Sequence, residues 1–391
     1  MRILIVNNNM YIGGVQKALL NLLWEIHDSN DVTLLLLYQG GELLDRIPSN
    51  IRVLEASAPI RYWGMSGRDV KDRGELVARS VWAAIARLAG RGASFRLASC
   101  MHPKIEGYDI AISFLHSGNP KAFYGGCAEF VLQCVDAPRK ICFLHNDFRQ
   151  IQAISAYNNK IYRSFDSIAA CSYGCREAFC KAMPGLVDKT AIVHNCLGYK
   201  EVRRLASMEQ VQLEHDCLNI VTVARLGREK GVLRALRVIS ELVREGYSLR
   251  YYVVGMGPEF DEDQKAAVDL GLEGTVRFLG QQSNPYPLMA ACDLLLIPSY
   301  AEAAPLVIGE SACLGTPILS TQTSSATEMI RDTGYGWVCG NSDEGLFLDL
   351  AALMRNPSEI RSRHEALLGM TFDDKLAVAE FENVLIGGER L

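Results

Sequence analysis

Short apolar runs alternate along this chain with longer stretches whose apolar residues recur at helical spacing. Runs at 2–6, 32–37, 51–54, 109–114, 139–144, 167–170 and 191–193 predict strands. A polar loop over 7–14 and an amphipathic helix over 15–27 follow the first of them. Apolar strands separated by helices favour a parallel sheet covered on both faces, the opening of a doubly wound domain. Polar residues 195–216, which include Gly198, mark a domain boundary. The pattern then restarts, with strands predicted at 219–223, 249–254, 275–279, 294–297 and 317–320 and helices at 232–244, 343–354 and 373–385. The expected fold is α/β, two Rossmann-like doubly wound domains over 1–195 and 196–372.

The stretch from Pro298 to Ser320 carries the most chemistry. It reads as strand, loop, helix, strand. Glu302 lies on the loop beyond a strand's carboxyl end, Pro305 suits the first turn of the helix, and Glu310 lies about a turn and a half into it at ~3.6 residues per turn. A carboxylate has two acceptor oxygens and can take hydrogen bonds from neighbouring hydroxyls of a ribose or hexose. The N–H groups and positive dipole end of the helix start suit a diphosphate. The plain alternative is a solvated loop carboxylate and a second one on a wet helix flank. Leu306, Val307, Ala312, Cys313 and Leu314 set Glu310 close to the buried side, where an unpaired carboxylate is costly.

Arg225 and Lys230 occupy a glycine-bearing loop between a strand and a helix. Arginine can hold a diphosphate bidentately and lysine acts as a point charge, or both are simply solvated; Arg228 reads as a solvated neighbour. Gly13 and Gly14, and Gly255 and Gly257, follow strands and either admit a ligand close to the backbone or form turns. Neither pair belongs to a Gly-x-Gly-x-x-Gly fingerprint. His116 and His145 each follow a strand, at the ligand-binding edge of a parallel sheet, where an imidazole can exchange protons near neutral pH, hydrogen-bond, or cap a helix. Asp261, Glu262 and Asp263 open a helical segment, where the dipole favours negative charge, and no metal is assigned to them.

The order Ser-x-x-Glu-(small)-x-Pro-Leu-Val-x-x-Glu-(small)-x-x-x-Gly-x-Pro, running here from Ser299 to Pro317, resembles the signature of GT-B retaining glycosyltransferases. Their large family holds many bacterial capsular-polysaccharide and lipopolysaccharide enzymes. The resemblance implies a GT-B architecture with two Rossmann-like domains facing a central cleft, and a last helix, about 373–391, packed back on the first domain. It implies transfer of a sugar from a nucleotide diphosphate-sugar, UDP-linked rather than GDP-linked, to an acceptor hydroxyl of a glycan or lipid-linked glycan. Retention of configuration, no metal in the donor site and no further cofactor belong to the same expectation. Carried over residue by residue, Glu302 contacts the donor sugar, Glu310 the ribose, and Arg225 and Lys230 the diphosphate. His145 contacts donor sugar or phosphate, and His116 is assigned to the acceptor side. Gly13 and Gly14 face donor phosphates and acceptor, while Gly255, Gly257, Ala304, Pro305 and Leu306 complete the nucleotide-binding set. The chain departs from the family with Ala303, Ser324 and Ser325 where glycines are usual, and with His194-Asn195 where Pro-Asn-Gly is usual.

The 391 residues, 49% hydrophobic and 22% charged, suffice for two domains. A formal charge of -5 argues against a dedicated nucleic-acid binder. The twelve cysteines, densest at Cys171, Cys175 and Cys180, show neither Cys-x-x-Cys nor zinc spacing and read as core residues in a reducing compartment. The amino terminus lacks the order of a secretory signal, and no apolar run nears the ~18 to 20 residues of a membrane span, so a cytoplasmic protein is expected, soluble or peripheral at the inner face of the plasma membrane.

Charge is nonetheless uneven: residues 61–104 hold nine Lys/Arg against three Asp/Glu. A helix over 75–91 is expected there, with Val77, Val81, Ile85 and Leu88 on one face, Trp82 beside them, and Arg79, Arg87 and Arg91 elsewhere. It reads as a packed helix with a solvated basic face, as a contact for an anionic membrane, or as a nucleic-acid patch, the last without any accompanying motif. A lipid-linked acceptor would give the membrane reading a use. Two other functional classes stay open: a non-catalytic partner in a glycosyltransferase complex, and a nucleotide-dependent oxidoreductase or epimerase. The missing dinucleotide fingerprint counts against an oxidoreductase.

Overall fold

Strands buried on both faces need helices above and below, and both sheets of the computed structural model, which describes residues 1–120, 122–148, 153–214 and 216–387, are parallel. The chain divides into two units, Met1–Cys196 with Asp374–Leu391, and Leu197–Asp373. Residues 388–391 of the expected closing segment lie outside the described residues.

The first unit contains β1 (Arg2–Asn7), β2 (Asp31–Leu36), β3 (Arg52–Glu55), β4 (Ile110–Ser113), β5 (Arg139–Leu144), β6 (Ser167–Ala170) and β7 (Thr190–Ile192). Their order is β3-β2-β1-β4-β5-β6-β7. Ile5 of β1 pairs with Leu34 on one side and Ile112 on the other, so the winding reverses between β1 and β4. Ile3 to Val6 are fully buried, which explains a run without polar alternation. The helix Lys375–Ile386 belongs to this unit. Arg139 Nη2 donates to Val384 O at 2.9 Å, and His194 Nδ1 lies 2.9 Å from Glu380 Oε2.

The second unit contains β8 (Leu218–Val223), β9 (Leu249–Val254), β10 (Val276–Gly280), β11 (Leu294–Ile297), β12 (Ile318–Thr321) and β13 (Gly336–Cys339), in the order β10-β9-β8-β11-β12-β13. Period-two alternation divides its side chains between two cores. Tyr251, Val253, Leu294 and Leu296 pack with Leu236, Ile239, Leu346 and Leu350. Tyr252, Val254, Leu295 and Ile297 pack on the other face with Val202, Ile308, Ala312 and Leu367.

Three features differ from the sequence reading. Residues 195–216 hold a helix, Tyr199–Ala206, whose polar composition hid it because only Val202 is buried among Lys200, Glu201, Arg203 and Arg204. The basic helix, found at Arg73–Ala89, does not pack by its expected apolar stripe: Val77, Val81 and Leu88 are 61%, 50% and 88% exposed, while Ala86 is buried and Trp82 tilts against Trp63 at 5.5 Å. Arg91 opens the next helix, Arg91–Ser99, rather than joining the basic face. It is buried against Glu129, Nε to Oε1 at 2.9 Å, because a guanidinium taken from water needs a matched carboxylate. Among the described residues no helix is long and apolar enough to cross a membrane.

These burial differences have a measurable consequence. Leu296→Ala, in the core of the second unit, should cost about 2 to 5 kcal/mol in urea unfolding. Leu88→Ala, on the exposed stripe, should cost less than about 0.5 kcal/mol.

Candidate functional site

Parallel strands bring their carboxyl ends to one edge, and a doubly wound sheet opens a crevice where adjacent strands send their chains in opposite directions. In the second unit that point lies between β8 and β11, paired through Leu294 with Ile220 and Leu295 with Val221. The loop after β8 carries Arg225 and Lys230; the loop after β11 carries Glu302. They meet closely. Gly231 has φ +67°, and a Cβ there would stand 2.1 Å from Pro298 O, so a side chain at 231 would force the loops apart.

Across this junction Lys230 Nζ donates to both oxygens of Glu302, at 2.7 and 2.9 Å. Ser299 Oγ donates to Glu302 Oε1 at 2.8 Å. The lysine side chain is 21% exposed and the glutamate 10%, so the pair is largely out of water. Tyr300 N donates to Glu229 O at 2.8 Å, and Ser324 Oγ to Glu302 O at 2.5 Å. A carboxylate has roughly four lone-pair sites, and three bonds are made here, which leaves Oε2 able to accept one more. An ammonium has three donors, and two are used on the carboxylate.

The remaining residues singled out in this unit are distributed around that pair. Pro305 stands at the N-cap of the helix Leu306–Cys313, with Ala304 before it and Leu306 its first residue. Glu310 is buried in this helix, and Tyr286 OH donates to its Oε1 at 3.3 Å. Arg225 is mostly exposed and pairs with Glu229, Nη2 to Oε1 at 3.1 Å, rather than with the Lys230–Glu302 pair. Arg228 is exposed, 3.4 Å from Glu259. Gly255 and Gly257 have a packing reason of their own: a Cβ would lie 1.8 Å from Ala224 O at Gly255 and 2.1 Å from Leu226 O at Gly257. Close approach there is by the protein's own backbone. Asp261, Glu262 and Asp263 fall in the first turn of the helix Phe260–Asp269, where burial pushes the Asp263 carboxyl up to about 6.

In the first unit the reversal between β1 and β4 positions the loop after β1. Gly13 is the N-cap of the helix Gly14–Ile26, and nothing within 4 Å would meet a Cβ at Gly14. Sequence reasoning passed over Asn8 and Asn9, both buried just before. Asn9 Nδ2 donates to Gly64 O at 2.9 Å and Tyr124 OH at 2.7 Å, Tyr11 OH donates to Asp69, and Cys127 Sγ donates to Asn8 Oδ1 at 2.9 Å. The loop is thereby tied to the start of the basic segment. Tyr286 escaped notice similarly, and Ser299 was read only as the start of the signature, since a hydroxyl's partner is invisible in one dimension.

His145 and His116 lie past β5 and β4. Burial pushes the His145 imidazole down to about 3, helped by His116, against an opposing hydrogen bond to the Phe114 backbone. Burial, then the Arg91 charge, lowers His116 to about 4; its Nε2 sits 3.0 Å from Asn146 Nδ2. Proton exchange near neutral pH is therefore corrected: both rings are neutral there. Among the described residues His145 Nε2 has no hydrogen-bond partner. With the ring proton on the nitrogen facing Phe114, Nε2 is an acceptor.

The geometry of the second unit coincides with a recognised sequence pattern. Residues 204–366 match the family described as glycosyl transferases group 1. The group 1 segment thus spans nearly all of the unit Leu197–Asp373. The chain is 28% identical over 203 residues to the lipopolysaccharide core biosynthesis glycosyltransferase LpsE of Rhizobium meliloti (strain 1021), covering 48% of this chain and 57% of that one. It is 35% identical over 116 residues to the lipopolysaccharide glucosyltransferase WaaG of Escherichia coli (strain K12), covering 28% and 29%. These matches span from under a third to somewhat over half of the relatives' lengths. The crystal structure of Anabaena Alr3699/HepE in complex with UDP superposes with a TM-score of 0.67 at 17% identity, covering 99% of this chain and 100% of that one. The likeness is one of fold: two parallel-sheet Rossmann-like domains, as in the GT-B glycosyltransferases.

The histidine pair links stability to acidity. A histidine held below its usual 6.5 in the folded state takes up its proton preferentially when unfolded, so folding is favoured fully above about 6.5 and progressively less as pH falls towards about 4 for His116 and about 3 for His145. Thermal unfolding of wild type should drop through that window. His145→Gln and His116→Gln should each shallow the drop.

Proposed function

We propose that this protein is a retaining, metal-independent glycosyltransferase that moves a hexosyl group from a nucleotide diphosphate-sugar to an acceptor hydroxyl. The Lys230–Glu302 pair at the junction of the β8 and β11 loops carries this reading. It joins one cationic group suited to a departing diphosphate with one carboxylate suited to sugar hydroxyls, and both sit at the crevice-forming edge of a parallel sheet. Lys230, with Arg225, stabilises charge growing on the diphosphate, a use of fixed electrostatics at the transition state. Glu302 accepts a donor-sugar hydroxyl through Oε2, and Glu310, oriented by Tyr286, accepts from the ribose. Neutral His145 offers Nε2 to a hydroxyl and orients it. The transfer proceeds at one face of the sugar through an oxocarbenium-like state, without a covalent nucleophile.

We assign the donor to the UDP-sugars rather than the GDP-sugars. A crystal structure of the fold neighbour from Anabaena is described as a complex with UDP and glucose, which supports that choice. The relatives named for lipopolysaccharide core synthesis support an acceptor that is a glycan or lipid-linked glycan of a bacterial surface polysaccharide. Thermal stabilisation across UDP-, GDP-, ADP-, CMP- and dTDP-sugars tests the donor site without knowledge of the acceptor. UDP-sugars alone should raise the midpoint, and Glu310→Ala and Arg225→Ala should abolish the rise. Stabilisation by another base would replace UDP, and none in folded protein would favour the non-catalytic partner. NMR of the product's anomeric proton decides retention, and recovery of an altered nucleotide-sugar without acceptor would reveal an epimerase.

An anionic membrane surface is the proposed site of work. The exposed Val77, Val81 and Leu88 and the basic residues Arg73, Arg87 and Arg96 lie on neighbouring helices, as an interfacial contact requires. The protein should sediment with phosphatidylglycerol vesicles and much less with phosphatidylcholine, and salt should weaken it. Val81→Glu with Leu88→Glu should abolish sedimentation and leave donor-induced stabilisation intact.

A further inference from the structure

Arg234, in the first turn of the helix Val232–Arg244, has a side chain only 4% exposed. A guanidinium so far from water is tolerated where its donors are matched, and its matches identify what it holds. Nε donates to Asp343 Oδ1 at 3.0 Å, and Nη1 to Asn341 Oδ1 at 2.6 Å and to Pro298 O at 3.4 Å. The guanidinium carbon stands 3.8 Å from the centre of the Tyr300 ring. Asn341 continues the connection, donating through Nδ2 to Tyr300 O at 3.2 Å and Gln322 O at 2.8 Å. Two of the residues it grips, Pro298 and Tyr300, lie within the four residues before Glu302.

We infer that Arg234 is a positioning residue for Glu302, clamping the 298–302 loop from beneath so that the carboxylate meets Lys230 and Ser299. Its effect on the loop stands on these contacts alone; its kinetic effect rests on the reading of Glu302 as the sugar contact. An apolar residue of similar length would fill the volume but leave Pro298 O and Asn341 Oδ1 unmatched. Lysine keeps the charge but lacks the planar fork that bonds both the 298–302 loop and residues 341–343 while stacking on Tyr300. The helix that carries Arg234 begins directly after Lys230 and Gly231, so one rigid element sets both partners of the ion pair.

Hydrogen exchange read by mass spectrometry on the ligand-free full chain tests the clamp. In Arg234→Lys and Arg234→Met, peptides covering 298–304 should exchange about tenfold faster or more, because the loop loses charge-assisted bonds. Peptides from β8 and β11 should be unchanged, and Arg237→Met, an exposed site on the same helix, should match wild type. With a transferable donor, kcat should fall about 100-fold, as expected for a misplaced reacting group, while UDP affinity stays constant. Unchanged exchange at 298–304 overturns the inference. So does faster exchange throughout the second unit with loss of UDP affinity, since that is a general structural role. Should both variants fail to fold, Asn341→Ser, at an exposed residue, cuts the same connection and is read on the same peptides. Absence of any nucleotide-sugar binding by wild type would sink the proposed function, whereas the exchange result would still decide the clamp.

Discussion

Parallel pairing of β8 with β11 is the constraint on which the second unit depends. Both chains must leave their strands at the same edge, so residues far apart in sequence, Lys230 and Glu302, come to share a junction. Two charges taken this far from water have to satisfy each other, and the geometry around them is correspondingly determined: Ser299 completes Oε1, Ser324 holds the backbone, and Gly231 permits the loops to touch. The ion pair is better understood as a device of register than of stability.

Much of this was legible in the sequence because it depends on period and on punctuation. Strands such as Arg139–Leu144 and Ser167–Ala170 announce themselves by unbroken apolar runs, and the helix after Pro305 by its proline and its terminating Gly315. Glu310 was legible as a carboxylate on a buried flank, since its helix leaves little polar surface. What could not be read were relations across space. Tyr286 beneath Glu310, Arg234 beneath Pro298 and the Arg91–Glu129 pair each join segments whose proximity only the sheet order decides. Periodicity also misled once: the stripe of Val77, Val81 and Leu88 has the spacing of a packed face but lies in solvent, because Ala86 and Trp82 supply the contact instead.

Buried polar networks join several elements of the first unit. Arg91 and Glu129 are joined by Tyr157 and Ser117, and Ser117 by Asn158, so the helix Arg91–Ser99 is oriented by polar contacts as well as apolar packing. Asn9 and Tyr11 then fasten the glycine loop after β1 to Gly64 and Asp69, at the head of the exposed helix. The exposed face of the basic helix and a loop at the edge of the sheet are therefore linked by a few short hydrogen bonds within one unit. Neutral His145 and His116 belong to the same style of construction, where burial removes a charge and retains an acceptor.

Gly255 and Gly257 carry a wider lesson. Their missing side chains are filled by the backbone of residues 224 and 226, so any larger residue would wedge β8 from β9 at their loops. Any chain of this shape would need both, whatever its chemistry. The pair is accordingly explained by architecture: it keeps two loops of one sheet in contact, and is silent about whether a substrate is turned over.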